Sequence, residues 1–415
     1  MRIAIIGSGI SGLTAAYKLN KLHDLVLYES AERLGGHTAT KKVTINNREY
    51  AIDTGFIVFN DWTYPNFIKL MTEIGVESQA ATMGFSVFNP SNKFEYAGTN
   101  FLTLFAQKRN LVSLQHWRML GDIVRFNKEA AADLELGKLV HNESLGQYLQ
   151  RKHYSPAFIE RYLIPMGSAI WSATQGAMLE FPLEFFIRFF KNHGLLNLVN
   201  RPQWRVIKGG SYSYLEPLSA GFKHKIKLNH RIENIVRSES NIQVTANGVS
   251  ENFDQIIFAC HSDQALALLT DASADEKRIL GAIKYQTNSV VLHTDTRLLP
   301  RKKSTWSSWN YLLQADNGKP PVLTYSMNIL QNIQCDTEFC VTLNAEDKID
   351  PEKVLGKYTY AHPVFSQEAI NAQQLWPSIN GTNRTWFCGA YWFNGFHEDG
   401  VNSALRVVNA LGAMQ

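Results

Sequence analysis

Arg2-Ile3-Ala4-Ile5-Ile6-Gly7-Ser8-Gly9-Ile10-Ser11-Gly12 begins the chain. It reads as an isoleucine-rich strand, a glycine turn and the start of a helix continuing from Leu13 to Lys21. Gly7 permits the tight turn, Gly9 lets backbone approach a pyrophosphate, and Gly12 lets the helix pack close to the strand. The helix then presents free N–H groups and its positive dipole end to an anion, with Ser11 in the same turn. Asp24 to Tyr28 predicts a second strand. Glu29 ends it 17 residues after Gly12, where a carboxylate accepts hydrogen bonds from a ribose diol and disfavours a 2′-phosphate. Ser30 follows as a further candidate contact. Together these features indicate a bound dinucleotide other than NADP, and by themselves they leave FAD and NAD both open.

Composition sets the frame around this turn. The chain has 415 residues, 45% hydrophobic and 19% charged, which is enough length for two substantial cores. A net charge of +4 is small for that size, so no nucleic-acid surface is expected. Cys260, Cys335, Cys340 and Cys388 show neither CxxC spacing nor a Cys/His ligand pattern. Neither a disulfide framework nor a metal site is expected, and the thiols read as reduced, in a cytoplasmic setting. The opening apolar run is too short for a signal peptide, and no run of about 18 apolar residues suggests a spanning helix.

Past Glu29 the chain reads Glu32-Arg33-Leu34-Gly35-Gly36-His37 and then alternates toward Asp53-Thr54-Gly55-Phe56. Near the other end, Trp386 to Ala390 closes a predicted strand, and Phe396-His397-Glu398-Asp399-Gly400-Val401-Asn402-Ser403-Ala404 opens a final helix. With the glycine pair Gly209-Gly210 between them, these segments resemble the flavin amine oxidoreductase superfamily of amine oxidases, phytoene-type desaturases and protoporphyrinogen oxidases. The segment Tyr162 to Thr174 is similar to a bacterial branch described as predicted NAD/FAD-binding proteins.

The resemblance implies FAD as the cofactor. It places Arg33, Gly35, Gly36 and His37 along the pyrophosphate and flavin, with Thr54 and Gly55 following. Ile232 would meet the adenine through its backbone, and Gly389, Glu398, Asp399, Gly400 and Val401 would lie at the flavin pyrimidine. The family's Glu-Gly-Ala and Ser-Gly in the last segment are here Glu398-Asp399-Gly400 and Ser403-Ala404. The implied fold is α/β. A discontinuous, Rossmann-like FAD-binding domain of the two-dinucleotide-binding type (1–60, 204–275, 378–415) stands beside an α+β substrate domain (61–203, 276–377).

The first insertion reads as mainly helical, with Trp117, Leu120 and Val124 at helical spacing. Pro182 is placed to open a helix on which Glu184, Arg188 and Lys191 form a narrow polar stripe. Phe181, Leu183, Phe185, Phe186, Ile187, Phe189 and Phe190 fill the rest. That surface suits a buried core helix, an apolar substrate tunnel or a peripheral contact with the inner membrane leaflet. The basic cluster Arg301-Lys302-Lys303 reads as a solvated loop.

Flavin chemistry needs the substrate carbon near the cofactor and water excluded, so the protein mainly supplies shape. By the resemblance, Phe396 stands over the flavin face, with Tyr391 close by in sequence. Many amine oxidases of the family carry a lysine on the strand matching Asn288 to Thr294; here the nearest candidates are His293 and Thr294, and His293 is a candidate base. The resulting expectation is an FAD-dependent oxidoreductase that takes a hydride from a small apolar, fatty-acyl-like substrate and passes electrons to an unidentified acceptor. An amine oxidase releasing peroxide and a non-catalytic flavoprotein binding a membrane or partner are the alternatives.

Overall fold

The computed structural model describes residues 1–314 and 318–412. Its first sheet has five strands in the order Ile226–Lys227, Asp24–Tyr28, Arg2–Ile6, Gln255–Phe258, Thr385–Phe387, each neighbouring pair parallel. Ile3, Ala4 and Ile5 are fully buried, as the unbroken apolar run of a parallel strand covered on both faces requires. From Arg2–Ile6 the chain moves to Asp24–Tyr28 on one side, and Gln255–Phe258 fills the other. The strand order therefore reverses at the end of Arg2–Ile6, where Gly7 stands, and ligands of open α/β sheets bind at such switch points. The expected α/β class is what the structure has.

The second large sheet has seven strands in the order Val354–Val364, Lys284–His293, Cys340–Leu343, Val322–Ser326, Trp309–Leu312, Phe85–Asn89, Phe94–Ala97. Neighbours are antiparallel except Trp309–Leu312 with Phe85–Asn89. The first insertion is mainly helical, as its sequence reads, and its strands Phe85–Asn89 and Phe94–Ala97 join this sheet. A three-stranded meander, Ile232–Arg237, Ile242–Ala246 and Val249–Phe253, lies apart from both sheets.

Both helices read from the first insertion are present. In Leu183–Asn192 the residues Leu183, Phe186, Ile187 and Phe190 are buried to within about 1%. This helix is core, the first of the three readings its sequence allows, with its apolar face packed in a buried cluster. In Leu114–Glu135 the buried residues include His116, Met119, Phe126 and Ala130, whereas Trp117 and Val124 are exposed. Leu120, at the same spacing, is half-buried. Among the described residues no helix is long and apolar enough to cross a membrane.

Candidate active site

The opening turn forms a cradle in which Gly7 adopts φ +104° and donates its N–H to Tyr28 O at 2.8 Å. A methyl at Gly12 would stand 2.0 Å from Gly7 O, and one at Gly9 would meet nothing within 4 Å. The helix Ile10–Leu19 has Gly9 as N-cap and no side-chain cap, which leaves its first N–H groups available to an external anion. Glu29 Oε2 accepts from Ser8 N at 2.9 Å and from Ser8 Oγ at 2.6 Å, while Oε1 accepts from Ala31 N at 2.9 Å and from the neighbouring Ser30 hydroxyl. The carboxylate is thereby fixed at the edge of the turn.

Against this cradle lies the second glycine turn. Gly35 N donates to Ser8 O at 3.0 Å, and a methyl at Gly36, which has φ +56°, would come within 3.2 Å of Gly9 Cα. The Arg33 guanidinium donates to the carbonyls of Leu34, Gly36 and Thr38, so it clamps its own turn. Gly55 sits under the same loop, where a methyl would stand 2.1 Å from His37 O, and Thr54 Oγ1 bonds Ala39 O and Tyr360 OH.

Beyond Gly36, three imidazoles from distant segments converge. His37 has its ring centroid 5.7 Å from that of His261 and 5.7 Å from that of His362, and 5.4 Å from Tyr360, while His261 stacks on Tyr285 at 4.4 Å. His37 Nε2–H donates to Ala361 O, and Asn288 Nδ2–H donates to His362 Nδ1. Burial, followed by repulsion from the other two rings, lowers His37 to about 3. Burial and then His261 lower His362 to about 4, and burial lowers His261 as well. The cluster is polar and uncharged at neutral pH. Sequence reasoning missed His261, His362 and Tyr285, which carry no local motif.

The helix His397–Gly412 closes the site. Gly400 lets its first turn pack on the opening helix, since a methyl there would stand 2.7 Å from Ile10 Cγ2 and 3.0 Å from Ser11 Oγ. Asp399 reaches back to Phe396 N at 2.9 Å, half of a capping box, and its carboxyl is pushed up to about 7 by burial. Glu398 accepts from Asn66 N at 3.0 Å and Phe67 N at 2.7 Å. Its side chain therefore caps the helix Pro65–Glu73. Gly389 N donates to Ser403 Oγ at 2.9 Å, and Val401 is buried. His397, also missed, stacks on Phe56 at 3.5 Å and bonds Thr38 Oγ1 and Tyr214 OH.

On the outer side of this helix Phe396 stacks on Phe189 at 5.2 Å, Phe365 stacks on Phe185 at 5.2 Å, and Trp171 lies 4.7 Å from Phe189. Tyr391 is buried beside Trp392, its ring over Gly389, and its hydroxyl has no hydrogen-bond partner. Ile232 opens the meander, distant in sequence from both glycine turns. His293 is not brought to the site. It lies at the far end of Lys284–His293 from Tyr285, fully buried, with Nε2 2.7 Å from Thr342 Oγ1 and Asp295 N donating to Nδ1 at 3.1 Å. Its role as a base is corrected to a structural one, because both ring nitrogens have internal partners.

A family model described as flavin containing amine oxidoreductase matches residues 10–328. The chain belongs to this family. It is a flavin-dependent oxidoreductase, and its cofactor is FAD. Among curated proteins no sequence matches it. Solved structures share the fold at low identity. A candidate protoporphyrinogen oxidase from Exiguobacterium sp. 255-15 has 16% identity and a TM-score of 0.70 over 100% of this chain and 99% of that one. The CLA-producing fatty acid isomerase from P. acnes has 14% identity and a TM-score of 0.71 over 99% and 98%. Cyclohexylamine oxidase from Brevibacterium oxydans IH-35A has 13% identity and a TM-score of 0.67 over 100% and 99%.

The residues present fit FAD. The uncapped helix start at Ile10, the open face of Gly9 and the backbone of Gly35 and Gly36 suit a pyrophosphate, and Glu29 suits a ribose.

Proposed function

We propose that this oxidoreductase removes a hydride from an apolar, lipid-like substrate, as dehydrogenases and desaturases do, with Gly7, Gly9, Ser11, Gly12, Glu29, Gly35 and Gly36 holding FAD. When bound, FAD supplies the hydride acceptor. The observation that carries this reading is the uncharged, aromatic lining around Phe396. Phe189, Phe185, Phe365 and Trp171 make one side, and the imidazoles of His37, His261 and His362, held neutral by burial, contribute the polar groups toward Gly36. An ammonium substrate entering such a place would lose its hydration and need a carboxylate in exchange. The two carboxylates nearest Phe396 in sequence, Glu398 and Asp399, already accept backbone N–H groups. Lys284, on the strand that carries Tyr285, is exposed.

An apolar chain loses nothing of that kind and gains by leaving water, about 0.8 kcal/mol for each buried CH₂. Phe396 and Phe189 then exclude water and orient the chain, and Asp399 holds Phe396 by its N–H. Acyl chemistry has a precedent on this fold in the fatty acid isomerase of P. acnes. Anaerobic mixing of the holoenzyme with fatty-acyl lipids should bleach the flavin absorbance. Bleaching by soluble amines, with no response to any acyl lipid, would replace this reading with that of an amine oxidase.

A further inference from the structure

Apart from the site just described, one face of the protein carries large apolar side chains with no cover. Leu102, Val112 and Leu114 are 80%, 84% and 86% exposed, and Phe101 and Trp117 are 61% and 47% exposed. They form one patch. Phe105 lies 4.7 Å from Phe101 and 5.0 Å from Trp117, and Trp117 Nε1 donates to Leu111 O at 2.8 Å. Along the helix Leu114–Glu135 the sequence Leu114, Trp117, Gly121, Val124 keeps a 3-4-3 spacing on the outer side, while His116, Asp122 and Asn127 are buried. At this end the helix buries His116 and Asp122 beside Met119 and leaves Leu114 and Trp117 in solvent. Monomeric proteins rarely show such a surface unless something covers it.

The rim of the patch names what covers it. Lys93, Lys108, Arg109, Arg301, Lys302 and Lys303 are all exposed. The fold brings them together from three segments: the Arg109 guanidinium donates to Asn92 O at 3.2 Å, and Lys302 Nζ donates to Ala106 O at 2.6 Å. Glu95, the acidic residue among them, is buried and accepts from Arg301 N at 2.8 Å and Lys302 N at 3.4 Å. An apolar centre with an indole and a phenyl ring, ringed by cations, is complementary to acyl chains beneath anionic headgroups.

We infer that this face docks the protein on the surface of an anionic lipid bilayer, with Leu102, Val112, Leu114 and Trp117 entering the acyl boundary and the lysines and arginines meeting the headgroups. The inference stands on exposure and charge and does not rest on the substrate reading.

Flotation of the FAD-loaded protein with phosphatidylglycerol-containing vesicles and with pure phosphatidylcholine vesicles tests it. Binding is expected to the anionic vesicles and to weaken as salt rises. Neutralising two cations, as in Lys302→Gln/Lys303→Gln, should lower partitioning roughly 25-fold, about fivefold for each charge. Leu102→Ser/Leu114→Ser should lower it separately while leaving flavin content and melting temperature unchanged, since both side chains are exposed. Equal binding to both vesicle types, or binding untouched by either pair of substitutions, would overturn the inference. So would light scattering that shows the patch holding a second copy of the chain, lost on Leu102→Ser/Leu114→Ser.

Discussion

Replacing His293 by glutamine separates a structural from a chemical use of that side chain. Asp295 N–H donates to Nδ1, so the neutral ring carries its proton on Nε2 and donates it to Thr342 Oγ1. Glutamine can satisfy one of these two partners, and leaving the other buried and unpaired costs about 1–3 kcal/mol at neutral pH. A second, pH-dependent effect distinguishes the two roles more sharply. Burial lowers His293 to about 4, against the favourable field of Asp295. Its folded pKa therefore lies below its unfolded value of about 6.5, and between the two the unfolded chain binds more protons. The stability contribution is intact above that window and is lost as pH falls through it, by about 2 kcal/mol at about pH 5. His293→Gln lacks this loss. In urea unfolding of the holoprotein, the gap between wild type and variant should narrow by about 2 kcal/mol from about pH 8 to about pH 5. An unchanged gap, together with slower flavin reduction by substrate, would return His293 to catalysis and refute the structural reading.

Gly12→Ala places a methyl 2.0 Å from Gly7 O, so the opening helix must move away from its strand, and the purified protein should carry less FAD per chain; a full flavin-to-protein ratio would contradict this. Glu398→Ala leaves the N–H groups of Asn66 and Phe67 without acceptors and should cost about 1–3 kcal/mol in thermal unfolding, with flavin content unchanged. Arg237→Leu strands the buried carboxylate of Glu276, which it holds at 2.6 Å, and should cost about 3–5 kcal/mol, most of it recovered in the double variant Arg237→Leu/Glu276→Leu.

The cofactor half of the fold was legible because its signals are local. Gly7, Gly9, Gly12 and Glu29 act within one strand–turn–helix–strand unit, and backbone geometry ties each to its neighbour. The histidine cluster has no such unit. His37, His261 and His362 meet only because Lys284–His293 pairs with Val354–Val364 and the second glycine turn folds over both, a long-range register that no window of sequence contains. The same limit applies to the helix Leu114–Glu135, where periodicity located Trp117, Leu120 and Val124 at helical spacing. A period reports that one face differs from the other, and only the tertiary fold decides which of them is buried. The side chain of Glu398 shows the limit from another side, since its carboxylate serves a helix more than 300 residues earlier, at Asn66 and Phe67.

Buried apolar packing lies between the exposed patch and the aromatic rings around Phe396. Beneath the patch, Val87, Tyr96, Met119, Ala169 and Tyr311 form a single buried cluster. Ala169 shares the helix Ile164–Trp171 with Trp171, which packs on Phe189, and Phe189 stacks on Phe396. A lipid-like substrate drawn from a bilayer would leave water before it reaches Phe396. The two proposals then make a joint demand that neither makes alone. Leu102→Ser/Leu114→Ser should slow flavin bleaching by acyl lipid embedded in anionic vesicles and leave bleaching by the same lipid dispersed as monomers unchanged. Equal slowing in both formats would place these residues on the substrate path itself, and no slowing in either would detach membrane docking from substrate supply.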